Sequence, residues 1–466
     1  MTVSTFAGVM AFVDRHLGFI NLSDMNPSKQ SNASAALFWC GLLLGSVLAV
    51  WYASQQVVQG DQLQMIHNGY MGAYHGVWQT VGNTASVVGN VPGSLLAWLV
   101  GGPVLIWDSP YAPMAFLLLV RLIGFLLLDN VIRQVFDDRI QVRLIFLALC
   151  WLNPWFLFDS LLYNPSYLIF CVGLHLWSAW RLRQSPALLP SFLHVFSIGL
   201  AMQLHFSWPV LVILSGYLFY RGAVRLNVWG VLLATAFIGL SLFPYLQQVL
   251  ANPDITRNAD PAARERYIGW GGVHVYPVLK AAIYWLRYGS WAFPSQLVNH
   301  TEFSWLPFVT LQWVSIISWR VLLVLLALFT MIISLVANIY AFKLIKSNLR
   351  RRDGPVQSAE HWLLLYVFGA WMAAMISAAL APIVFNYWHL TVIFPIALIP
   401  VLFWLVKVFW RGAEKTIWPL WVAVALMVMI NIVALNDSRK FSWRVNYAEQ
   451  VMIYIDQTIR QALPIR

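Results

Sequence analysis

Apolar runs separated by short charged connections dominate the chain. A run of about twenty apolar residues is long enough to cross a bilayer as a helix. Reading the runs against their charged stops predicts about eleven spans. They cover residues 35–53, 112–128, 144–155, 163–180, 189–206, 209–220, 228–246, 321–341, 362–381, 390–408 and 418–435. The pattern predicts an all-α, polytopic membrane protein.

Composition and charge support a membrane protein and argue against a nucleic-acid-binding one. Apolar residues make up 60% of the 466-residue chain and charged residues only 10%, whereas soluble domains carry about 25% charged residues. The net charge is +11. The basic residues lie in short clusters between apolar runs, which favours contact with anionic membrane lipids and no nucleic-acid partner.

The basic clusters also predict the orientation. They fall on alternate connections, which should therefore be cytoplasmic. Residues 1–34 then form a cytoplasmic amphipathic segment, and residues 35–435 form the transmembrane domain. Two large loops, 55–111 and 249–308, and the tail, 436–466, should face outward. The apolar stretch 91–106 in the first loop is broken by glycine and proline, which favours a helix lying at the membrane interface.

Two acidic residues are candidates for catalysis. Asp61 lies just outside the first span, in the loop that follows it, and a charge at the membrane edge is a candidate functional group. It is our candidate general base; a helix cap or a solvated loop charge is the alternative. Asp159 lies near Asn164 beyond the third span, where it would orient an acceptor or hold a metal; a turn cap is the simpler alternative.

Basic side chains are candidates for binding a phosphate group. The second loop mixes basic and aromatic residues densely, and guanidinium groups bind phosphate in a bidentate fashion. For each residue the alternative is a lipid headgroup contact, or for His205 a packing role. The candidates are Arg264, Arg266, Lys280, Arg287, His389 and His205.

A third set of polar and aromatic residues lies in the first loop and would line a groove for an acceptor. His67 and His75 are eight residues apart, so they would share one face of a helix. That spacing alone is a weak indication of a metal site. The acceptor candidates are His67, Asn68, His75 and Trp78.

The order of several short elements carries a resemblance to a known superfamily. After Asp61 come a proline-bearing segment, 91–96, an arginine inside a span, Arg121, and an Asn-Pro turn at Asn153. Two later elements are residues 199–206 and the aromatic segment 386–395. In this order they resemble the GT-C glycosyltransferases, especially bacterial relatives of the protein mannosyltransferases and the lipid A aminoarabinose transferase.

Three departures from the pattern stand out. Gln62 follows Asp61 where many relatives have a second acidic residue. Pro92 stands alone where they have a double proline, and His389 occupies the place of the late basic residue.

The resemblance implies a GT-C type fold with interfacial helices in the first outer loop. It implies an inverting transfer of a sugar from a polyprenyl-phosphate donor to an extracytoplasmic glycolipid, polysaccharide or protein. The site would face the outside of a bacterial cytoplasmic membrane, with Asp61 as the base. The resemblance does not decide whether the reaction needs a cofactor such as a divalent metal. A transporter or lipid-linked-sugar flippase and a polysaccharide polymerase or ligase are the alternatives.

Overall fold

The structure is a computed structural model, and it describes residues 32–85, 89–256, 275–291, 298, 300–349, 358–381, 386–409, 418–437 and 446–461. Residues 1–31, which hold most of the predicted amphipathic segment, lie outside the described residues. Arg264 and Arg266 also lie outside them.

Helices make up most of the described chain. The α-helices are α1 Asn32–Ala53, α2 Asp61–His75, α3 Leu95–Ile106, α4 Ala112–Val135, α5 Ile140–Cys150, α6 Pro154–Phe158, α7 Leu168–Arg181, α8 Leu188–Leu204, α9 Pro209–Tyr220, α10 Val228–Ser241, α11 Phe243–Ala251, α12 Val275–Gly289, α13 Val309–Leu349, α14 Ala359–Leu380, α15 Phe394–Ala397, α16 Ile399–Trp404, α17 Trp418–Asn436 and α18 Tyr447–Tyr454. Three 3-10 segments, Asn164–Tyr167, Pro253–Thr256 and Tyr387–Ile393, and two π-helical segments, Leu405–Phe409 and Ile455–Ile459, complete the set.

The prediction of a polytopic, predominantly helical membrane protein is confirmed. Within the described ranges, five helical stretches are long and apolar enough to cross a bilayer: Ala35–Ala53, Ala112–Val135, Val309–Lys346, Ala359–Leu380 and Tyr387–Lys407. The pair α10 and α11, bent by 48°, makes a sixth if it is counted as one broken span. Several other predicted spans form apolar helices of 10–17 residues, so the number eleven stays a prediction.

One predicted span is part of a much longer helix. The run 321–341 lies inside α13, which has 41 residues. At 1.5 Å per residue the helix is about 60 Å long, roughly twice the thickness of a bilayer's hydrocarbon core. It begins at Val309, directly after the predicted second loop.

The first loop folds into two helices and a small sheet. Strands β1 Val81–Ala85 and β2 Gly89–Pro92 pair antiparallel, with Val81 opposite Pro92. The sequence predicts no strand here and a helix over 91–106, whereas the helix α3 begins only at Leu95. Pro92 is tolerated because proline, which lacks a backbone donor, is compatible with the edge of a sheet.

Glycines let the helices of this loop approach closely. A Cβ atom on Gly101 of α3 would lie 2.3 Å from the carbonyl oxygen of Gly69 on α2. Since no side chain fits at such a distance, α2 and α3 pack backbone against backbone. This contact holds the start of α2, where Asp61 lies, on a rigid element.

Candidate active site

Asp61 is the first residue of α2 and is partly buried. Burial raises the pKa of its carboxyl group, and a hydrogen bond from the Tyr163 hydroxyl lowers it in part. The amino-terminal end of a helix also favours a negative charge. Asp61 therefore remains ionisable while binding a proton more readily than a solvated aspartate does.

Tyr163 interacts with both of the predicted acidic residues. The charges of Asp61 and Asp159 both raise the pKa of its hydroxyl, after burial, which is the largest cause. The neighbouring Asn164 donates from Nδ2 to the carbonyl oxygen of Leu204 at 3.0 Å and fixes this turn against the end of α8. The sequence reading treated Tyr163 only as the start of a span, so its link between the carboxylates was missed.

Asp159 follows α6 and is only 8% exposed. Burial raises the pKa of its carboxyl group from 3.8 to about 6, against the opposing effects of the Arg121 charge and the Thr391 hydroxyl. Asn153 begins α6 by accepting a hydrogen bond from the backbone N–H of Trp155 at 2.9 Å. The predicted Asn-Pro turn thus forms the helix start that places Asp159.

Arg121 supports Asp159 from within α4. Its side chain is completely buried, donates to the backbone carbonyls of Asp159 and Phe156, and lies over the Phe156 ring at 4.1 Å. A buried arginine inside a span needs such partners. These contacts indicate a structural role for Arg121.

Aromatic side chains connect Asp159 to the second loop. The Trp155 ring lies 5.7 Å from Tyr387 and 5.5 Å from Tyr288, and the Tyr288 hydroxyl donates to the carbonyl of Tyr387. The charge of Asp159 also raises the pKa of Tyr288, after burial. Tyr288 was not a candidate in the sequence, and only the contact with Tyr387 reveals it.

Two predicted cations lie beside this aromatic layer. Lys280 and Arg287 are seven residues apart on α12, a spacing that puts both on one face of the helix. The Arg287 guanidinium lies 5.3 Å from the Trp155 ring centroid. Burial lowers the pKa of Lys280, and the Arg287 charge lowers it further. The two positive charges are therefore neighbours, as a phosphate site requires.

His389 and His205 join the same cluster through Asn386. Lys280 donates from Nζ to Asn386 Oδ1 at 2.6 Å, and the Asn386 backbone N–H donates to His389 Nδ1 at 2.9 Å. The His389 and His205 rings are 5.4 Å apart. His205 Nδ1 accepts a hydrogen bond from the Ser207 backbone N–H at 3.2 Å, so its ring is held in place. Four of the six predicted phosphate-binding residues are thus brought together.

The acceptor candidates contact another part of the chain. His67 Nδ1 lies 2.9 Å from the Tyr454 hydroxyl, and His75 Nε2 lies 2.7 Å from the carbonyl oxygen of Ile459. The two histidines share one face of α2, as expected, and this face contacts the C-terminal helix.

Trp78 and Asn68 complete this set. Trp78 stacks on Trp98 with ring centroids 3.6 Å apart. Asn68 is half-buried on α2. The contacts of His67, His75 and Trp78 are those of packing residues, and their role in acceptor binding stays a prediction.

The metal question stays open. Within the part of the chain that the structure describes, no three His, Cys, Asp or Glu side chains gather into a metal-binding group. Asp61 and Asp159 are both ionisable oxygen donors of the kind that magnesium takes, and both interact with Tyr163.

The candidate site therefore has two halves, an acidic one at Asp61 and Asp159 and a basic one at Lys280 and Arg287. Tyr163, Tyr288 and Tyr387 join the halves. In comparisons with known proteins, no family model matches the chain. No curated protein matches it either.

Proposed function

We propose that the protein is a membrane glycosyltransferase that moves a sugar from a polyprenyl-phosphate donor to an extracytoplasmic acceptor, with inversion at the anomeric carbon. One observation carries the proposal: the aromatic layer of Trp155, Tyr288 and Tyr387 adjoins both the acidic side chains and the cation pair Lys280 and Arg287. Such a site offers a proton acceptor and a phosphate-binding group within one chain of contacts. The resemblance to the GT-C superfamily supports the same reading.

The transfer would proceed in one displacement. Asp61 takes the proton of the acceptor hydroxyl as its oxygen bonds to the anomeric carbon. The bond from that carbon to the phosphate oxygen breaks, and polyprenyl phosphate leaves with the electron pair. Lys280 and Arg287 would stabilise the developing negative charge on the phosphate.

The environment of Asp61 suits this role. General bases work best when their pKa lies near the working pH, and burial moves that of Asp61 upward. Asp159, with its pKa raised to about 6, is the second acidic group and would hydrogen-bond the acceptor. Tyr163, which interacts with both, would transmit any change at one carboxyl to the other.

A transporter is the main alternative from another class. Transporters place broken helices with polar or charged groups at the substrate site. The bent pair α10 and α11 has that shape. However, residues 228–251 contain no charged side chain and no histidine. The ionisable groups of the candidate site lie on other elements, which favours the transferase.

The test is whether the purified protein makes product without a sealed compartment. The protein in detergent would be incubated with a panel of undecaprenyl-phosphate sugars and a lipid extract, and the release of undecaprenyl phosphate followed by mass spectrometry. We expect release that depends on both donor and extract. A transporter would release none, and that result would overturn the proposal.

A further inference from the structure

The connection between α1 and α2 carries a buried amide that bonds a distant part of the chain. Gln56 lies on this connection, and its side chain is completely buried. Its Oε1 accepts a hydrogen bond from the backbone N–H of Leu162 at 3.0 Å, and its Nε2 donates to the carbonyl oxygen of Ala53 at 3.0 Å. A buried polar group is costly unless it is hydrogen-bonded. Both ends of this amide are bonded, so Gln56 forms a fixed link to a residue 106 positions away.

Leu162 directly precedes Tyr163, the residue that interacts with both acidic groups. The backbone of this turn is held on each side of the tyrosine. Gln56 holds it before Tyr163, and after it the backbone N–H of Ser166 donates to the Tyr163 carbonyl oxygen at 3.0 Å. Because a tyrosine side chain is long, a small rotation of its backbone moves the hydroxyl by a larger distance. The bond to Gln56 therefore affects where the Tyr163 hydroxyl lies.

The same glutamine stands on the short connection that leads to Asp61. Gln450 of the C-terminal helix α18 fixes the backbone there. Its Nε2 donates to the carbonyl oxygen of Gln56 at 3.2 Å, and its Oε1 accepts a hydrogen bond from the backbone N–H of Val58 at 3.2 Å. One amide of α18 thus bonds this connection at two neighbouring peptide groups. Gln56 therefore reaches Leu162 from a fixed stretch of backbone.

From these contacts we propose that Gln56 is a positioning residue of the candidate site, whose amide sets the distance between the Tyr163 hydroxyl and the Asp61 carboxyl group. The inference rests on the proposed function, in which Asp61 is the general base. An amide is no proton acceptor at neutral pH, so Gln56 acts through Tyr163 and takes no part in the proton transfer itself. Gln450 acts one step further away, through the backbone of Gln56.

The titratable groups around this pair determine the sign of the effect. Burial is the largest cause that raises the pKa of the Tyr163 hydroxyl, and the charges of Asp61, Tyr387 and Asp159 raise it further. In return the Tyr163 hydroxyl lowers the pKa of Asp61, which burial raises. If the turn moves away, Asp61 loses this opposing effect and its pKa rises. Because the base must be ionised, kcat/KM then falls at low pH and changes little at high pH.

The pH profile of transfer tests the positioning role. Transfer by the full-length protein in detergent is followed by the release of undecaprenyl phosphate. Gln56→Ala removes the acceptor of the Leu162 N–H, so we expect the acidic limb of kcat/KM to move upward by about one pH unit, which lowers kcat/KM about tenfold below the limb. Gln134→Ala is the matched control, because this glutamine also bonds two partners, Trp180 and Asn130, near the carboxyl end of α4. It should leave the limb in place.

A double variant separates positioning from a general loss of stability. Gln56→Ala in a Tyr163→Phe background should move the limb no further, because the hydroxyl through which Gln56 acts is already absent. Two shifts that simply add would overturn the proposal, and so would a wild-type limb in Gln56→Ala.

Gln450→Ala covers the case in which Gln56→Ala does not fold, since it leaves the buried amide in place. Gln450 is partly buried, and its loss should move the limb in the same direction as Gln56→Ala. Gln457→Ala, at an exposed position of the same C-terminal segment, is its control and should behave like the wild type. If Gln450→Ala also behaves like the wild type, the proposed link from α18 to the base is wrong.

Hydrogen exchange tests the bond itself without requiring transfer. In Gln56→Ala we expect the Leu162 amide, followed in peptides that cover residues 159–166, to exchange about tenfold faster than in the wild type. Unchanged exchange would contradict the proposal. Faster exchange together with a wild-type limb would mean that Gln56 only stabilises the turn, which also contradicts it. A wrong proposed function has a separate signature, namely faster exchange in Gln56→Ala while the wild type releases no polyprenyl phosphate.

Discussion

The Tyr163 hydroxyl interacts with the carboxyl group of Asp61 and lowers its pKa, although the two residues lie on different elements. The tyrosine thereby opposes the effect of burial on the pKa of Asp61. The charge of Asp159 also raises the pKa of the Tyr163 hydroxyl. The protonation of the proposed base is therefore coupled to the state of the second carboxyl group, and several measurable consequences follow from this pair.

Replacing the Asp61 carboxylate should abolish transfer without unfolding the protein. Asp61→Asn keeps the size of the side chain and removes the proton acceptor, so we expect kcat to fall about 10²–10⁴-fold. Asp108→Asn, in the same loop, is the matched control, since Asp108 is exposed and bonded to Tyr74. Near-normal turnover of Asp61→Asn, measured by release of polyprenyl phosphate, would remove Asp61 from the mechanism.

Tyr163→Phe should change the pH dependence of the reaction. The Tyr163 hydrogen bond lowers the pKa of Asp61, so its loss should raise that pKa. Because the base must be ionised, the acidic limb of the kcat/KM profile should move to higher pH. Tyr74→Phe, which removes the hydroxyl bonded to Asp108, should leave the limb in place. An unmoved limb in Tyr163→Phe would show that the hydroxyl does not act on the base.

Asp159 should make the folded protein less stable as the pH rises from about 4 to about 6. Its pKa is raised by burial from 3.8 to about 6, so the folded state binds the proton more tightly than the unfolded state. The stabilisation is complete below the unfolded pKa and is lost as pH passes the folded pKa. The difference is on the order of 3 kcal/mol.

Thermal unfolding in detergent across this pH range measures the effect of Asp159. Asp159→Asn should flatten the dependence of Tm on pH. Asp254→Asn, at an exposed position, should keep the wild-type slope. The same slope in Asp159→Asn and the wild type would assign the pH dependence to another group.

Local signals in the sequence predicted some parts of the site and missed others. The position of Asp61 after an apolar run, and the seven-residue spacing of Lys280 and Arg287, are both visible without a structure. The contact of Lys280 with Asn386 spans 106 residues, and it depends on how α12 packs against the segment that begins at Tyr387. The pattern of apolar and polar residues along the chain cannot predict such a distant contact.

The same distinction applies to the fold. Long apolar runs identify spanning helices because the bilayer sets their length, so α1, α4 and α14 were predicted closely. The hairpin of β1 and β2 was not predicted, because its strands have only five and four residues. Strands this short are stabilised by contacts with α2, such as the bond from Asn83 to the Asp61 carbonyl at 3.1 Å.

The cation pair should control donor affinity. Arg287→Lys keeps the charge but loses the planar, bidentate donor, and Lys280→Gln removes a charge. We expect each to raise KM for the polyprenyl-phosphate donor about tenfold or more, as the loss of a charge-assisted hydrogen bond of about 1.5–3 kcal/mol implies. Arg320→Gln, at an exposed position on α13, is the control. If these variants changed only the KM for the acceptor, Lys280 and Arg287 would bind the acceptor and not the donor phosphate.

The bond between His67 and Tyr454 should contribute to stability and leave acceptor affinity unchanged. These side chains join α2 to the C-terminal helix α18 at 2.9 Å. On the same face of α2, His75 bonds the carbonyl oxygen of Ile459 at 2.7 Å. We expect His67→Ala and Tyr454→Phe each to lower the free energy of unfolding by about 1 kcal/mol. Because both remove the same bond, the double variant should lose less stability than the sum of the two single variants, with acceptor KM unchanged.

Asn68→Ala, on the same helix, is the comparison that tests the acceptor role. If His67→Ala instead raises the acceptor KM while Tyr454→Phe does not, His67 binds the acceptor, as the sequence reading had it.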